Sequence, residues 1–165
     1  MAHYDQSVLL TAIFAEVPRL LSDEGLKLKI YLDTENKATF GYGTLITRAM
    51  PEWIMEVGDP VSEDRCLQAF WAEIVDKVMP DIRFVYPDYA HMPQEAVQVA
   101  INLLYQLGRV NYYTGEKAFH NHVAAMKRHD WQNAADELRD SHMWRVQAKK
   151  RTERRAVRLE GLVQH

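Results

Sequence analysis

Three side chains between positions 24 and 39 have the types and spacing for acid–base work on an acetal. Glu24 stands in Ser22-Asp23-Glu24-Gly25, where Gly25 reads as a helix C-cap. Asp33 closes a stretch in which Leu28, Ile30 and Leu32 alternate with Lys27, Lys29, Tyr31 and Asp33. That period marks a strand. Thr34-Glu35-Asn36-Lys37 follows as a turn, with Asn36 suited to the left-handed region, and Thr39 opens a second extended segment. A hairpin brings Asp33 and Thr39 together, and the helix end sets Glu24 facing them. Two carboxylates across a gap, with a hydroxyl beside one, suit glycosidic bond hydrolysis: one acid protonates the leaving oxygen, and the other carboxylate polarises a water. The same residues also fit plainer roles as a surface helix cap, a turn residue and a β-former. Spacing alone leaves both readings open.

The elements around these residues follow from pattern. Helical spacing begins after Ser7, a candidate N-cap, and Pro18 either kinks that helix or starts a new turn. Ser62 caps a helix whose apolar face is Cys66, Leu67, Phe70, Ile74 and Val78, with Pro80 expected to stop it. Pro93 opens a helix from Gln94 to Leu107 that ends at Gly108. Helices over 116–128, 131–138 (capped by Asp130) and 149–162 complete the chain. The hairpin is too small to stand alone and needs a helix to pack on. The expected class is α+β, mainly helical, as one domain over 1–165: a hairpin lobe at about 13–60, a linking helix at about 62–79 and a helical C-terminal lobe at about 81–165. A ligand site is expected between two such lobes.

Composition excludes several classes. The chain has 165 residues, 47% hydrophobic and 26% charged, which rules out wholesale disorder. A lone cysteine, Cys66, excludes a disulfide scaffold. No apolar run approaches the length that spans a bilayer, so no stable membrane insertion is expected. Met1-Ala2-His3-Tyr4-Asp5 lacks a basic secretory n-region, so a cytoplasmic start is expected. The net charge of −3 is uneven: residues 127–158 hold ten Lys/Arg against five acids. Such a segment suits an anionic polymer, nucleic acid or an acidic cell wall, or is a solvated helix face.

Glu24-Gly25-Leu26-Lys27-Leu28-Lys29-Ile30-Tyr31-Leu32-Asp33-Thr34-Glu35, followed by Thr39-Phe40-Gly41-Tyr42-Gly43, resembles the T-even phage-type lysozymes of glycoside hydrolase family 24. The likeness continues through Ala100-Ile101-Asn102-Leu103-Leu104-Tyr105-Gln106-Leu107-Gly108, Phe119-His120-Asn121, Trp131-Gln132-Asn133-Ala134-Ala135, Ser141, Trp144, Arg151 and Arg154, covering roughly residues 13–160. It implies a two-lobed lysozyme fold. It also implies an endolysin-type muramidase cutting the β-1,4 bond between N-acetylmuramic acid and N-acetylglucosamine in peptidoglycan, with inversion and without a cofactor. Glu24 would be the general acid, Asp33 the base or charge stabiliser, and Thr39 the holder of the attacking water. Glu35, Leu45, Tyr105 and Gln106 fall at substrate-binding positions. His122 and Glu137 stand at two further sugar-contacting positions where the best-known members carry smaller or neutral polar groups. Thr44 replaces a histidine that pairs, in the family, with a carboxylate corresponding to Glu73. The implied partner is the glycan strand. The enzyme would be a monomer held in the host cytoplasm until a holin or another permeabilising step releases it.

Competing readings are fewer. A wall-docking accessory protein that keeps the fold without turnover is the alternative, and intact Glu24, Asp33 and Thr39 argue against it. A nucleic-acid binder using the basic C-terminal helix is disfavoured by the acidic whole, so no nucleic-acid partner is expected. Gly41-x-Gly43 lacks the third glycine and following helix of a dinucleotide site. His120 and His122, two apart on a helix, point to different faces, so no metal is expected there. Trp53, Trp71, Trp131 and Trp144 read as core rather than sugar platforms.

Overall fold

The computed structural model describes residues 2–141 and 148–164, so Trp144 lies outside the described residues. The chain forms helix α1 (Ala2–Glu24), strands β1 (Lys27–Leu32), β2 (Ala38–Gly41) and β3 (Thr44–Leu45), then α2 (Glu63–Glu73) and α3 (Met79–Val85). It continues through α4 (Gln94–Arg109), α5 (His120–Lys127), α6 (Trp131–Asp140) and α7 (Lys149–Glu160). This is the mainly helical α+β architecture that the periodicities imply. The chain divides into two compact units: Pro18–Lys77 is one, and Met1–Val17 together with Val78–His165 is the other.

In the smaller unit the sheet is antiparallel in the order β1-β2-β3. Tyr31 pairs with Thr39, and Thr39 in turn with Leu45. The two-residue strand β3 extends the expected hairpin. Helix α2 covers the sheet: Tyr42 meets Phe70 edge-on, with ring centroids 5.8 Å apart. A Cβ on Gly41 would stand only 2.9 Å from that of Cys66. Ser62 caps α2 as expected, its hydroxyl accepting from the Arg65 amide at 3.2 Å. Between β3 and α2 the short turn Pro51–Ile54 buries Glu52, which accepts from Arg65 Nη2 at 2.9 Å. The bond to Arg65 holds the Glu52 carboxyl below its usual range. Turning Glu52 inward sends its neighbour outward. Trp53 is therefore 51% exposed, with the Arg48 guanidinium 5.7 Å from its ring, and is not a core residue as expected.

The larger unit is built on α4, in which every residue from Ala96 to Leu104 is buried. The first part of α1 contributes Leu9, Ala12, Ile13 and Glu16 to this unit's interior. Glu16 is fully buried and satisfied. It accepts from Asn102 Nδ2 at 2.6 Å and from Arg158 at 2.7 Å and 3.1 Å. Arg158 also bonds Gln98 at 2.9 Å and pairs with Glu95. The Asn102 carbonyl takes donors from Arg151 and Arg155. The basic C-terminal helix thus turns Arg155 and Arg158 inward, and those two side chains are not a surface for an anionic polymer.

Several boundaries differ from the sequence expectation. Helix α1 starts at Ala2, ahead of Ser7, with no Gly or Pro before Ser7 to break it, and it continues through Pro18. Pro80 does not end the second helix. The chain shifts into a π-turn at Ile74–Val78 and restarts as α3, placing the proline in the first turn, where a missing N–H costs little. Gly108 does break its helix, at φ 69° and ψ 166°, and a π-turn over Val110–Thr114 follows. Residues 116–119 are not helical, so α5 opens only at His120.

Candidate active site

The smaller unit carries Glu24, Asp33 and Thr39. Glu24 is the last residue of α1. Gly25, at φ +68°, ends the helix with its N–H on the Leu21 carbonyl at 3.1 Å. The Glu24 side chain is half-buried with Oε1 sealed from solvent. Its Oε2 lies against Gly43, where an added Cβ would come within 3.2 Å. Gly43 itself sits at φ +81°, so both its conformation and its neighbour call for glycine.

Asp33 is fixed by the turn that follows it. Its Oδ1 accepts from the amides of Glu35 at 2.8 Å and Lys37 at 2.9 Å. Its own N–H bonds the Lys37 carbonyl at 2.9 Å, and Asn36 takes φ 63° as expected. These bonds hold Oδ1 and leave Oδ2 for other work. Thr39 is buried, and its hydroxyl donates to the same Lys37 carbonyl at 3.0 Å. A hydroxyl has one proton, so Thr39 Oγ1 presents only lone pairs to anything else. The peptide groups of Lys37 therefore tie the carboxylate to the hydroxyl: the N–H binds Asp33 and the C=O binds Thr39.

Tyr31 belongs to this cluster, although sequence reasoning did not select it. It faces Thr39 across the ladder, two residues before Asp33 on the same strand face. Burial raises its phenol pKa, and the negative charges of Glu24 and Asp33 raise it further. Lys27 Nζ lies 3.9 Å from its ring centre. The alternation that marks β1, counted back from Asp33, puts Tyr31 on the same face and is the signal that could have found it.

The residues expected to bind substrate are divided between the units. Glu35 is exposed and paired with Lys37 Nζ. Leu45 is exposed on β3, directly across from Thr39. Tyr105 and Gln106 lie on α4 in the larger unit, where Gln106 Oε1 accepts from Arg155 Nη2 at 2.7 Å. Thr44 is buried, and its Oγ1 has no hydrogen-bond partner among the described residues. Glu73 is paired with Lys77 one turn along at 2.9 Å. Among the described residues no group of three or more His, Cys, Asp or Glu side chains is placed to hold a metal ion. No helix among them is long and apolar enough to cross a membrane.

No curated protein aligns with the chain. The sequence model of the phage lysozyme family matches it over residues 22–165, a span that takes in the acid-bearing helix end, the hairpin and the whole of α2 to α7. With its small sheet, its mainly helical build and this match over nearly all its length, the chain belongs to the phage lysozyme family.

Proposed function

We propose that the chain is an endolysin-type muramidase that hydrolyses the β-1,4 bond between N-acetylmuramic acid and N-acetylglucosamine with inversion. The observation that carries this reading is the joint held by Lys37. It spends the Thr39 proton and one Asp33 oxygen on backbone groups, leaving Asp33 Oδ2 and the Thr39 lone pairs as adjacent acceptors for the two protons of a water. Such a pair orients a nucleophilic water rather than forming a covalent bond to sugar. In the reaction the Glu24 carboxylic acid gives its proton to the glycosidic oxygen as the C1–O bond breaks. The held water attacks C1 from the opposite face, and its proton passes to Asp33. Inverting enzymes space their carboxyl groups about 6.5–9.5 Å apart to admit that water, against about 5–5.5 Å for a covalent route. Glu35, Leu45, Tyr105 and Gln106 serve as sugar-contacting residues. The enzyme acts as a monomer, and when made in a host cytoplasm it reaches the wall through a holin-type lesion.

Proton NMR of a fresh peptidoglycan digest, read before mutarotation, is expected to show the α-anomer first at the new reducing end. A β-anomer would overturn inversion. Glu24→Gln is expected to give a folded protein that still sediments with peptidoglycan but does not cut it, since the amide keeps the shape and cannot donate the proton. Residual turnover near the wild-type rate would remove Glu24 from the acid role.

A further inference from the structure

Tyr31 stands beside the two carboxylates, and the hydrolytic scheme gives it no task. It lies directly across the ladder from Thr39, so the two side chains leave the same face of the sheet. Its ring is half-buried, with Lys27 Nζ 3.9 Å from the ring centre. Its hydroxyl makes no hydrogen bond to a described residue. A phenol packed into protein usually turns that group to a partner.

The surrounding groups leave this hydroxyl as a donor in reserve. Burial first, then the charge of Glu24, then that of Asp33, hold the phenol above its ordinary pKa, so it keeps its proton. Thr39 has already given its proton to the Lys37 carbonyl. Asp33 Oδ1 is taken by the amides of Glu35 and Lys37, and neither carboxylate accepts from Tyr31. Of the paired hydroxyls on this face, Tyr31 gives a proton and Thr39 offers only lone pairs.

Placement narrows what such a donor meets. In the muramidase reading Glu24 serves the leaving oxygen on one face of the anomeric carbon, and Asp33 with Thr39 serves the water on the other. A phenol that feels both carboxylates and faces Thr39 borders the sugar ring being cut, rather than a remote sugar. Next to C1 that ring offers two acceptors, the ring oxygen and the carbonyl of the 2-acetamido group. The ring oxygen gains positive charge in the oxocarbenium-like transition state and repels a donor. The amide carbonyl stays a strong acceptor throughout.

We infer that Tyr31 is a substrate-contacting residue whose hydroxyl donates to the 2-acetamido carbonyl of the sugar under attack, making the enzyme selective for N-acetylated glycan at that position. The inference rests on the muramidase reading and adds a specificity element to it.

The test pairs one variant with one altered substrate. Peptidoglycan is de-N-acetylated and re-acylated in two batches, one with acetyl and one with trifluoroacetyl groups. The fluorines draw electrons from the carbonyl and make it a poor acceptor. Reducing-end release gives kcat/KM for the wild-type chain and Tyr31→Phe, which deletes one oxygen and keeps the ring beside Lys27. On the acetyl polymer Tyr31→Phe is expected to be about tenfold slower, the upper factor for one neutral hydrogen bond. On the trifluoroacetyl polymer the two proteins are expected to agree within about threefold. The acetyl-to-trifluoroacetyl ratio is taken within each protein, so a partly unfolded variant does not blur it. An equal ratio in the two proteins would make Tyr31 structural or idle and overturn the inference, while cutting by the wild-type chain keeps the muramidase reading. A wild-type chain that cuts neither polymer would overturn both.

Discussion

Gly43 couples backbone conformation to the acid. It holds φ +81°, and a Cβ added there would stand 3.2 Å from Glu24 Oε2, so the carboxyl would have to give way slightly. Gly43→Ala is expected to cost about 1–2 kcal/mol from the left-handed strain alone. It should lower turnover further than that loss of stability explains, because the new methyl must push the carboxyl aside. Thermal melts alongside peptidoglycan turbidity assays would show it; a full-rate Gly43→Ala enzyme would place Glu24 elsewhere during catalysis. Thr44 offers the opposite case. Its buried hydroxyl lacks a partner, and such a group costs roughly 1–3 kcal/mol. Thr44→Val keeps the β-branch and removes the hydroxyl, so a rise in Tm of about 2–4 °C is expected. A fall in Tm would mean that a water or an unseen donor serves it. At this scale much was legible. Asp33, Asn36 and Gly25 were readable because turns and helix ends select residue types for their side chains or their φ. The Lys37 joint was not readable, since it is made of backbone atoms that every residue shares. Tyr31 was hidden among ordinary strand-formers.

Helices and strands announced themselves by period, and their ends less so. Ser62 and Asp130 were readable as caps because their side chains do the capping, Asp130 accepting from the Asn133 amide at 3.2 Å. The π-turn before α3 was not readable, because no residue type demands one and Pro80 looked like a stop. The polar network under α4 was equally hidden. Glu16 sits within an apolar stripe of α1 and has its cation 142 positions away in Arg158. Only the fold joins them. Because Glu16 is fully buried, Arg158→Ala strands its charge, and a loss of about 3–5 kcal/mol is expected. Adding Glu16→Gln to that variant should recover part of the loss, since a neutral amide is cheaper to bury. Urea unfolding of both variants tests this; a loss below 1 kcal/mol would show that Asn102 and water suffice for Glu16.

Across the whole molecule, charge segregation was plain in the sequence, but its use was not. Arg139 pairs with Glu153 and Glu160, and Arg158 with Glu16 and Glu95, so part of the basic excess is neutralised within the larger unit. A buried histidine shapes the molecule's response to acid instead. His122 packs edge-on to Tyr112 at 5.9 Å, bonds the Ala134 carbonyl and feels the Arg155 charge. Its pKa falls from 6.5 to about 4 on folding. Above pH 6.5 both states leave the ring neutral, and it adds no pH dependence. Below that, the unfolded chain takes a proton that the folded chain refuses. Stability therefore declines as pH falls from about 6.5 and levels off near 4, by about 3 kcal/mol for this group. His122→Gln removes the titration while keeping an amide to bond Ala134. Urea unfolding of both proteins at pH 7.5 and 4.5 is expected to show a smaller acid loss for the variant, by about 2–3 kcal/mol. An equal loss in the two proteins would mean that the folded ring takes up its proton as readily as the unfolded one.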